Sequence, residues 1–316
     1  MSRRDNRQKP AWLIARSRNQ YTPYNVHEEA QLLEFLMSKV TNGSRTKAKY
    51  LLSNRCVEID NNIVTQFDYP LHDGMVVFIS KKKNHHEFRH NQLKLLYEDA
   101  YLLVVQKKEG LLSVATDTQK ERTAQHILTE YVRRSNRNGR VLAVHRLDRA
   151  TSGIMMFAKD EKTQHTLRDD WHYFVTDRRY VAVVEGDMEK DQGQVRSYLT
   201  DHGLHVRSSQ VDDGGKLSVT HYRVVGRGNG NSLVELRLET GRKNQIRVHM
   251  CDLGHPIVGD RRYNAQSDPL HRMCLHAFKL SFIHPVTREQ MNFEEEYPSR
   301  FKGLLGKHDN GKTESK

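Results

Sequence analysis

Residues Val144 to Asp160 read VHRLDRATSGIMMFAKD. A charged knot, His145-Arg146-Leu147-Asp148-Arg149, leads into a small-residue turn, Thr151-Ser152-Gly153, and then an apolar run, Ile154 to Ala158. An apolar run bounded by turn residues reads as a buried strand. Asp148 therefore sits between two guanidinium groups just where the chain enters the core. A nearby arginine favours the ionised form of a carboxylate, and an ionised, positioned carboxylate is what a covalent nucleophile requires. The competing reading of an isolated R-x-D-R is a surface ion-pair cluster at a strand entrance.

Outward towards the C-terminus, a helical segment near 161–169 precedes DRRYVAVVEG, with Tyr180 at the start of a strand, Val181 to Val184. The stretch 193–238 reads as a strand-rich meander whose glycine-rich link, Gly226 to Gly230, is a hairpin loop and not a phosphate cradle, because neither P-loop nor Rossmann spacing is present. Next comes ETGRKNQIRVHMCDLGHPIVGDRRY. Read as a buried strand, Arg247 between Ile246 and Val248 needs a partner. The last core strand is HAFKLSFIHP, and 304–316 reads as a disordered tail.

Towards the N-terminus, LLYEDAYLLVVQKKEGLL opens this larger domain, 93–303, as strand, turn, strand, followed by a helix in TAQHILTEYVRRSNR. Before it, KKKNHHEFRHNQ makes a basic, histidine-rich linker over 81–92; His85, His86 and His90 lack the cysteine or carboxylate companions of a standard metal site. Residues 27–80 read as two helices and a small meander: Leu32, Leu33, Phe35, Leu36 and Val40 recur at helical spacing, Ser44 is a candidate N-cap, and CVEID, IVTQFDY and MVVFIS are short strands. That is an α+β module, and its second helix carries Arg45, Lys47 and Lys49. Residues 1–26 form a basic arm.

With 316 residues, 28% charged, and a mean hydropathy of −0.78, the chain has no membrane-spanning stretch. MSRRDNRQKP lacks the apolar region of a secretory signal. Cys56, Cys251 and Cys274 are scattered, which suits reduced thiols in the cytoplasm. The net charge of +12 points to a polyanionic partner, most simply a nucleic acid.

The run H-R-L-D-x-x-T-S-G, four apolar residues and Ala158-Lys159 resembles the active-site signature of the large-ribosomal-RNA (RluA-type) pseudouridine synthases. Lys107-Lys108-Glu109-Gly110 is similar to that family's Lys-Pro-x-Gly opening without its proline, Arg-Tyr180 to its second motif, and Gly241-Arg242-x-x-Gln245-Ile246-Arg247-x-His249 with Leu-Gly-His-Pro-Ile-x-Gly-Asp to its third, Lys243-Asn244 replacing the usual Thr-His. Residues 27–80 resemble the RNA-binding domain named after ribosomal protein S-four, with Cys56 and Asn61-Asn62 as departures.

The resemblance implies an α+β catalytic domain on a long mixed, mostly antiparallel sheet. It implies isomerisation of uridine to pseudouridine in structured RNA, most simply large-subunit ribosomal RNA with transfer RNA behind it, by a monomer without cofactor or metal. Asp148 falls on the catalytic aspartate, Arg247 on its basic partner and Tyr180 on the aromatic that stacks on the target base. Arg146, His145, Arg149, Gln245, His249, Arg45 and Lys49 are the candidate RNA contacts. A non-catalytic RNA-binding protein and a carboxylate-dependent nuclease are the alternatives from other classes.

Overall fold

The structure, a computed structural model, describes residues 21–54, 56–60, 62–80, 88–116, 122–134, 136–203 and 205–306. Most of the N-terminal arm, the first part of the linker and the end of the tail lie outside these residues. The chain divides into two units, 1–87 with 131–138, and 88–130 with 139–316.

In the first unit, β1 (Tyr21–Asn25), β2 (Ala30–Gln31), β3 (Val57–Ile59), β4 (Asn62–Ile63), β5 (Pro70–Leu71) and β6 (Val76–Ser80) form a sheet ordered β1-β6-β3-β4 and a small ribbon, β2-β5. The end of the expected arm is thus a paired strand, with Tyr21 opposite Ser80 and Asn25 opposite Val76. Pro23 lies on this edge strand, where a missing N–H is tolerated. The first helix runs Leu32–Phe35 and widens into a π-turn over Leu36–Val40. The expected strand IVTQFDY instead leaves the sheet after Ile63. Its Phe67 and Tyr69 carbonyls accept the Leu33 and Leu32 N–H groups at 2.9 and 3.0 Å, satisfying donors that a helix start leaves unpaired. Ser44 caps the second helix, Arg45–Ser53, by accepting the Lys47 N–H at 3.3 Å. Leu32, Leu36, Ala48, Leu52, Val57 and Val77 close the core.

The second unit is organised on one sheet: β7 (Leu93–Glu98), β8 (Leu102–Lys107), β9 (Leu142–Ala143), β10 (Ser152–Ala158), β11 (Val175–Glu185), β12 (Gln192–His202), β13 (His205–Ser209), β14 (Lys216–Gly228), β15 (Asn231–Leu238), β16 (Leu275–Ile283) and β17 (Gln290–Glu294). The main order is β13-β12-β14-β15-β11-β16-β10-β8-β7, with β17 on β16 and β9 on β10. Only β10 and β16 pair in parallel among the described strands; the rest are antiparallel. Every residue of β10 is buried, as its apolar run requires. Its Thr-Ser-Gly lead-in is not a free turn, however, since Ser152 and Gly153 already belong to the strand. Gly153 is needed there: a Cβ would come 2.2 Å from the Ala277 carbonyl oxygen. Asn229-Gly230, both at positive φ, make the tight hairpin between β14 and β15. Residues 304–306 are packed, contrary to a tail beginning at 304. Leu305 is buried and its carbonyl lies where a Cβ on Gly228 would fall.

Candidate active site

Asp148 lies on the loop that feeds β10, and that loop is fixed from several sides. Ser113 Oγ donates to the Leu147 carbonyl at 2.6 Å and accepts the Leu147 N–H at 3.1 Å. Gly110 and Arg149 exchange two hydrogen bonds, N–H to Arg149 O at 2.7 Å and Arg149 Nε to Gly110 O at 3.0 Å. Beneath them Lys107, fully buried, donates from Nζ to the carbonyls of Lys108, Leu111 and Arg149 at 3.0, 2.9 and 3.5 Å. Burial drives its ammonium down to about 8, against the pull of Asp148 and Glu109. These bonds hold the Asp148 backbone without touching its carboxylate.

The carboxylate faces Arg247, whose Nη1 donates to Asp148 Oδ2 at 3.4 Å. Arg247 belongs to a helix, Gln245–Asp252, not to the strand suggested by its apolar neighbours. The difference decides which residues reach the cleft. Positions two apart on a strand share a face, whereas on a helix they point about 200° apart. Gln245 and His249, four apart, accordingly turn together towards the sheet. Gln245 Nε2 donates to Val219 O and Thr220 Oγ1, both at 3.0 Å. His249 bridges Ser197 Oγ at 3.0 Å and Thr220 Oγ1 at 2.8 Å, and burial lowers it to about 4. Arg247 points the other way, into the cleft.

Asp260, to which the sequence pattern gives no role, is the principal partner of Arg247. Its two oxygens accept Nε and Nη2 at 2.7 Å each. Asn244, left-handed at φ 53° before the helix, accepts Nη1 at 3.0 Å and donates to the Tyr263 hydroxyl at 3.0 Å. The Tyr263 ring lies 4.8 Å beneath the guanidinium. Burial works against the charged arginine, yet the Asp260 hydrogen bonds and charge, then the charge of Asp148, hold it above its usual range.

Asp148 stands between two cavities. One, about 590 Å³, is lined by Arg146, Arg149, Lys243, Arg247, Arg261, Arg262 and Arg272, with Glu109, Asp148 and Asp260 as its carboxylates. The other, about 60 Å³, is lined by Tyr180, Leu238 and Leu275, with Arg146, Asp148, Arg242 and Arg247 as its charged residues. Tyr180 sits in the middle of β11, not at its start, and is only 5% exposed. Burial raises its phenol, with Arg178 opposing and Asp148 adding. The Arg178 guanidinium lies 5.9 Å from the Tyr180 ring and 5.3 Å from that of Trp171.

The structure brings Asp148, Arg247, Tyr180, Arg146 and Arg149 together. It assigns His145, Gln245 and His249 to the framework instead. His145 Nε2 accepts the Met156 N–H at 3.0 Å and its ring packs 5.4 Å from Trp171. Nδ1 is shut off from solvent, and burial, then Arg178, takes the imidazole down to about 3. Gln245 lines the smaller cavity, but its amide is spent on the sheet and its oxygen on Thr240 and Arg242. Arg45 and Lys49 are exposed on the helix of the first unit.

The RNA pseudouridylate synthase family matches residues 101–252. Ribosomal large subunit pseudouridine synthase D of Zymomonas mobilis is 33% identical over 282 residues, 83% of this chain and 89% of that one. Dual-specificity RNA pseudouridine synthase RluA of Haemophilus influenzae is 36% identical over 205 residues, 64% of this chain and 91% of that one. Human RNA Pseudouridylate Synthase Domain Containing 4 shares the fold, at a TM-score of 0.55 and 22% identity, covering 67% of this chain and 91% of that one.

Proposed function

The chain belongs to the RNA pseudouridylate synthase family, isomerases acting on RNA, and on that footing we propose that its substrate is a uridine of large-subunit ribosomal RNA and its nucleophile Asp148. The reaction breaks the N1–C1′ bond, turns the uracil and joins C5 to C1′; C5 loses a proton and N1 gains one. The observation that carries the site assignment is the pairing of Asp148 with Arg247 at 3.4 Å at the boundary of a cation-lined cavity and a pocket walled by Tyr180. Attack at C1′ and attack at C6 both need an ionised carboxylate that can reach a base taken out of its stack.

In this reading Tyr180 stacks on the uracil, Arg146 and Arg149 contact phosphates near the extruded nucleotide, and Arg45 and Lys49 add phosphate contacts that position the RNA without reading it. The S-four-like role of residues 27–80, a monomeric state and a cytoplasmic location belong to the same proposal. No described helix is long and apolar enough to cross a membrane.

Transfer RNA is a second substrate reading, favoured by the likeness to the dual-specificity relative. Tritium release from C5-labelled uridine separates the two. Release from large-subunit RNA transcripts, lost in Asp148→Asn, is the expected result. Release from transfer RNA alone replaces the ribosomal target, and release from neither RNA overturns the assignment of substrate.

A further inference from the structure

Arg247 is shared unequally between two carboxylates. Asp260, with a side chain 3% exposed, takes two short hydrogen bonds at 2.7 Å from Nε and Nη2. Asp148, 23% exposed, has one bond at 3.4 Å from Nη1, a donor also engaged by Asn244 at 3.0 Å. A guanidinium has five N–H donors in a fixed plane, and its strongest arrangement with a carboxylate is the two-point fork. Here the fork is given to Asp260. A nucleophile clasped in that way would have both oxygens committed and its lone pairs directed at the cation.

We propose that Asp260 is a positioning residue which withholds the Arg247 fork from Asp148, leaving the nucleophile charged, oriented by one weak contact, and free to attack. Asn244 assists by holding Nη1 from the near side, and the Tyr263 ring supports the guanidinium plane. The inference rests on Asp148 being the nucleophile. Charged or titratable groups around Asp148 include Arg146 and Arg149 of its own loop, Tyr180 of β11, Lys107 of β8, Glu109 and Arg242. Among the described residues none of these groups hydrogen-bonds the Asp148 carboxylate, so Arg247 is shared between Asp148 and Asp260.

The test is Asp260→Asn, alone and combined with Arg247→Lys. An amide of the same shape no longer competes as an anion, so Arg247 should close on Asp148. Turnover at saturating RNA should fall on the order of 10²-fold, the loss typical of a misaligned reacting group, while half-saturating RNA stays unchanged. Lysine has no planar fork, so Arg247→Lys should raise the turnover of Asp260→Asn, although it lowers that of the unaltered protein. A merely structural Asp260 would not give that reversal. Wild-type turnover in Asp260→Asn, or a further loss on adding Arg247→Lys, overturns the proposal.

If Asp260→Asn does not fold, Asp260→Glu keeps the charge and shifts the fork. Its turnover should then fall with half-saturation unchanged, and unchanged turnover overturns the proposal. A crystal structure of the single variant, or of Asp260→Glu, reads the same competition without activity. Two hydrogen bonds between Arg247 and Asp148 in the former, or a displaced guanidinium in the latter, support it, and an unmoved guanidinium overturns it. Failure of the wild type on every RNA would instead count against the function proposed above, since the guanidinium geometry does not depend on it.

Discussion

The two sides of Asp148 differ in size and in chemistry. On one side is about 590 Å³ of space lined by arginines and a lysine, within the range of about 300–1,000 Å³ typical of ligand pockets. On the other is about 60 Å³, bounded by the buried ring of Tyr180. The open side suits phosphates and riboses, which are polar and remain hydrated. The narrow side suits a flat base that has shed its water, and it has to widen to admit one. Under the proposed assignment the cleft is prepared for the RNA backbone before it is prepared for the uracil, which fits a substrate whose target base must leave its stack.

The harshest way to break this comparison is at the carboxylate that lines both cavities. Asp148→Asn keeps the shape of the carboxylate and both cavity walls. It should lower single-turnover isomerisation on the order of 10⁴-fold or more, as loss of a nucleophile does elsewhere, with RNA binding near normal. Substantial residual turnover would remove Asp148 from the mechanism. Arg247→Met comes next, since methionine keeps the apolar stem but not the charge. A loss of roughly 10²–10³-fold is expected, the usual cost of one removed electrostatic donor. The variant also leaves Asp260 buried without its partner, so thermal unfolding has to be followed alongside. A loss wholly explained by unfolding would argue against a catalytic pairing.

Tyr180→Leu probes the narrow side alone, and Arg146→Gln the exposed edge that lines both cavities. Losing a stacking face costs about 1–3 kcal/mol per base, so Tyr180→Leu should reduce the single-turnover rate about 5- to 160-fold without altering the salt dependence of binding. Arg146 is exposed, and Arg146→Gln should do the opposite. Turnover at saturation should fall less than affinity, and the log–log salt slope should drop by about 0.7 for one contact to single-stranded RNA. If the two variants exchanged these signatures, the stacking role of Tyr180 and the phosphate role of Arg146 would both be wrong.

How much of this was legible depends on the length scale of each cause. Asp148 was readable because its surroundings, an arginine on each side and a strand behind, are contiguous in sequence. The pairing with Arg247 followed from the family likeness, but the local structure did not. Ile246 and Val248 flanking a charge look like a strand, and a period of two then gathers Gln245, Arg247 and His249 on one face. The helix separates them, and two of the three become framework. The role of Asp260 was hidden because it depends on where a loop thirteen residues further on returns. Tyr180 was assigned to a strand start because Asp177, Arg178 and Arg179 are charged. Those charges find partners instead, Arg179 on Asp177 at 2.9 Å, Lys279 near Asp177 at 3.7 Å and Arg178 on the Thr240 carbonyl at 3.3 Å, so the strand begins five residues earlier.

The smallest effect on catalysis should come from the wall behind the cavity. His249 is fully buried between β12 and β14, and burial lowers its folded value to about 4 from an ordinary 6.5. Above pH 6.5 the imidazole is neutral in folded and unfolded chains, and stability does not depend on it. Below that, the unfolded chain takes up a proton that the folded chain refuses until about pH 4. Unfolding therefore gains over that interval, in total about 3 kcal/mol if the whole shift is realised. His249→Asn removes the proton site. It should lower stability at neutral pH by loss of packing and hydrogen bonds, yet flatten its fall between pH 6.5 and 4, with turnover at neutral pH little changed in the folded fraction. Urea unfolding at a series of pH values, with and without the substitution, gives the two slopes. Equal slopes would show that another buried group, His145 first, carries the acid sensitivity. A large loss of turnover in folded His249→Asn would return His249 to the cleft side of the helix.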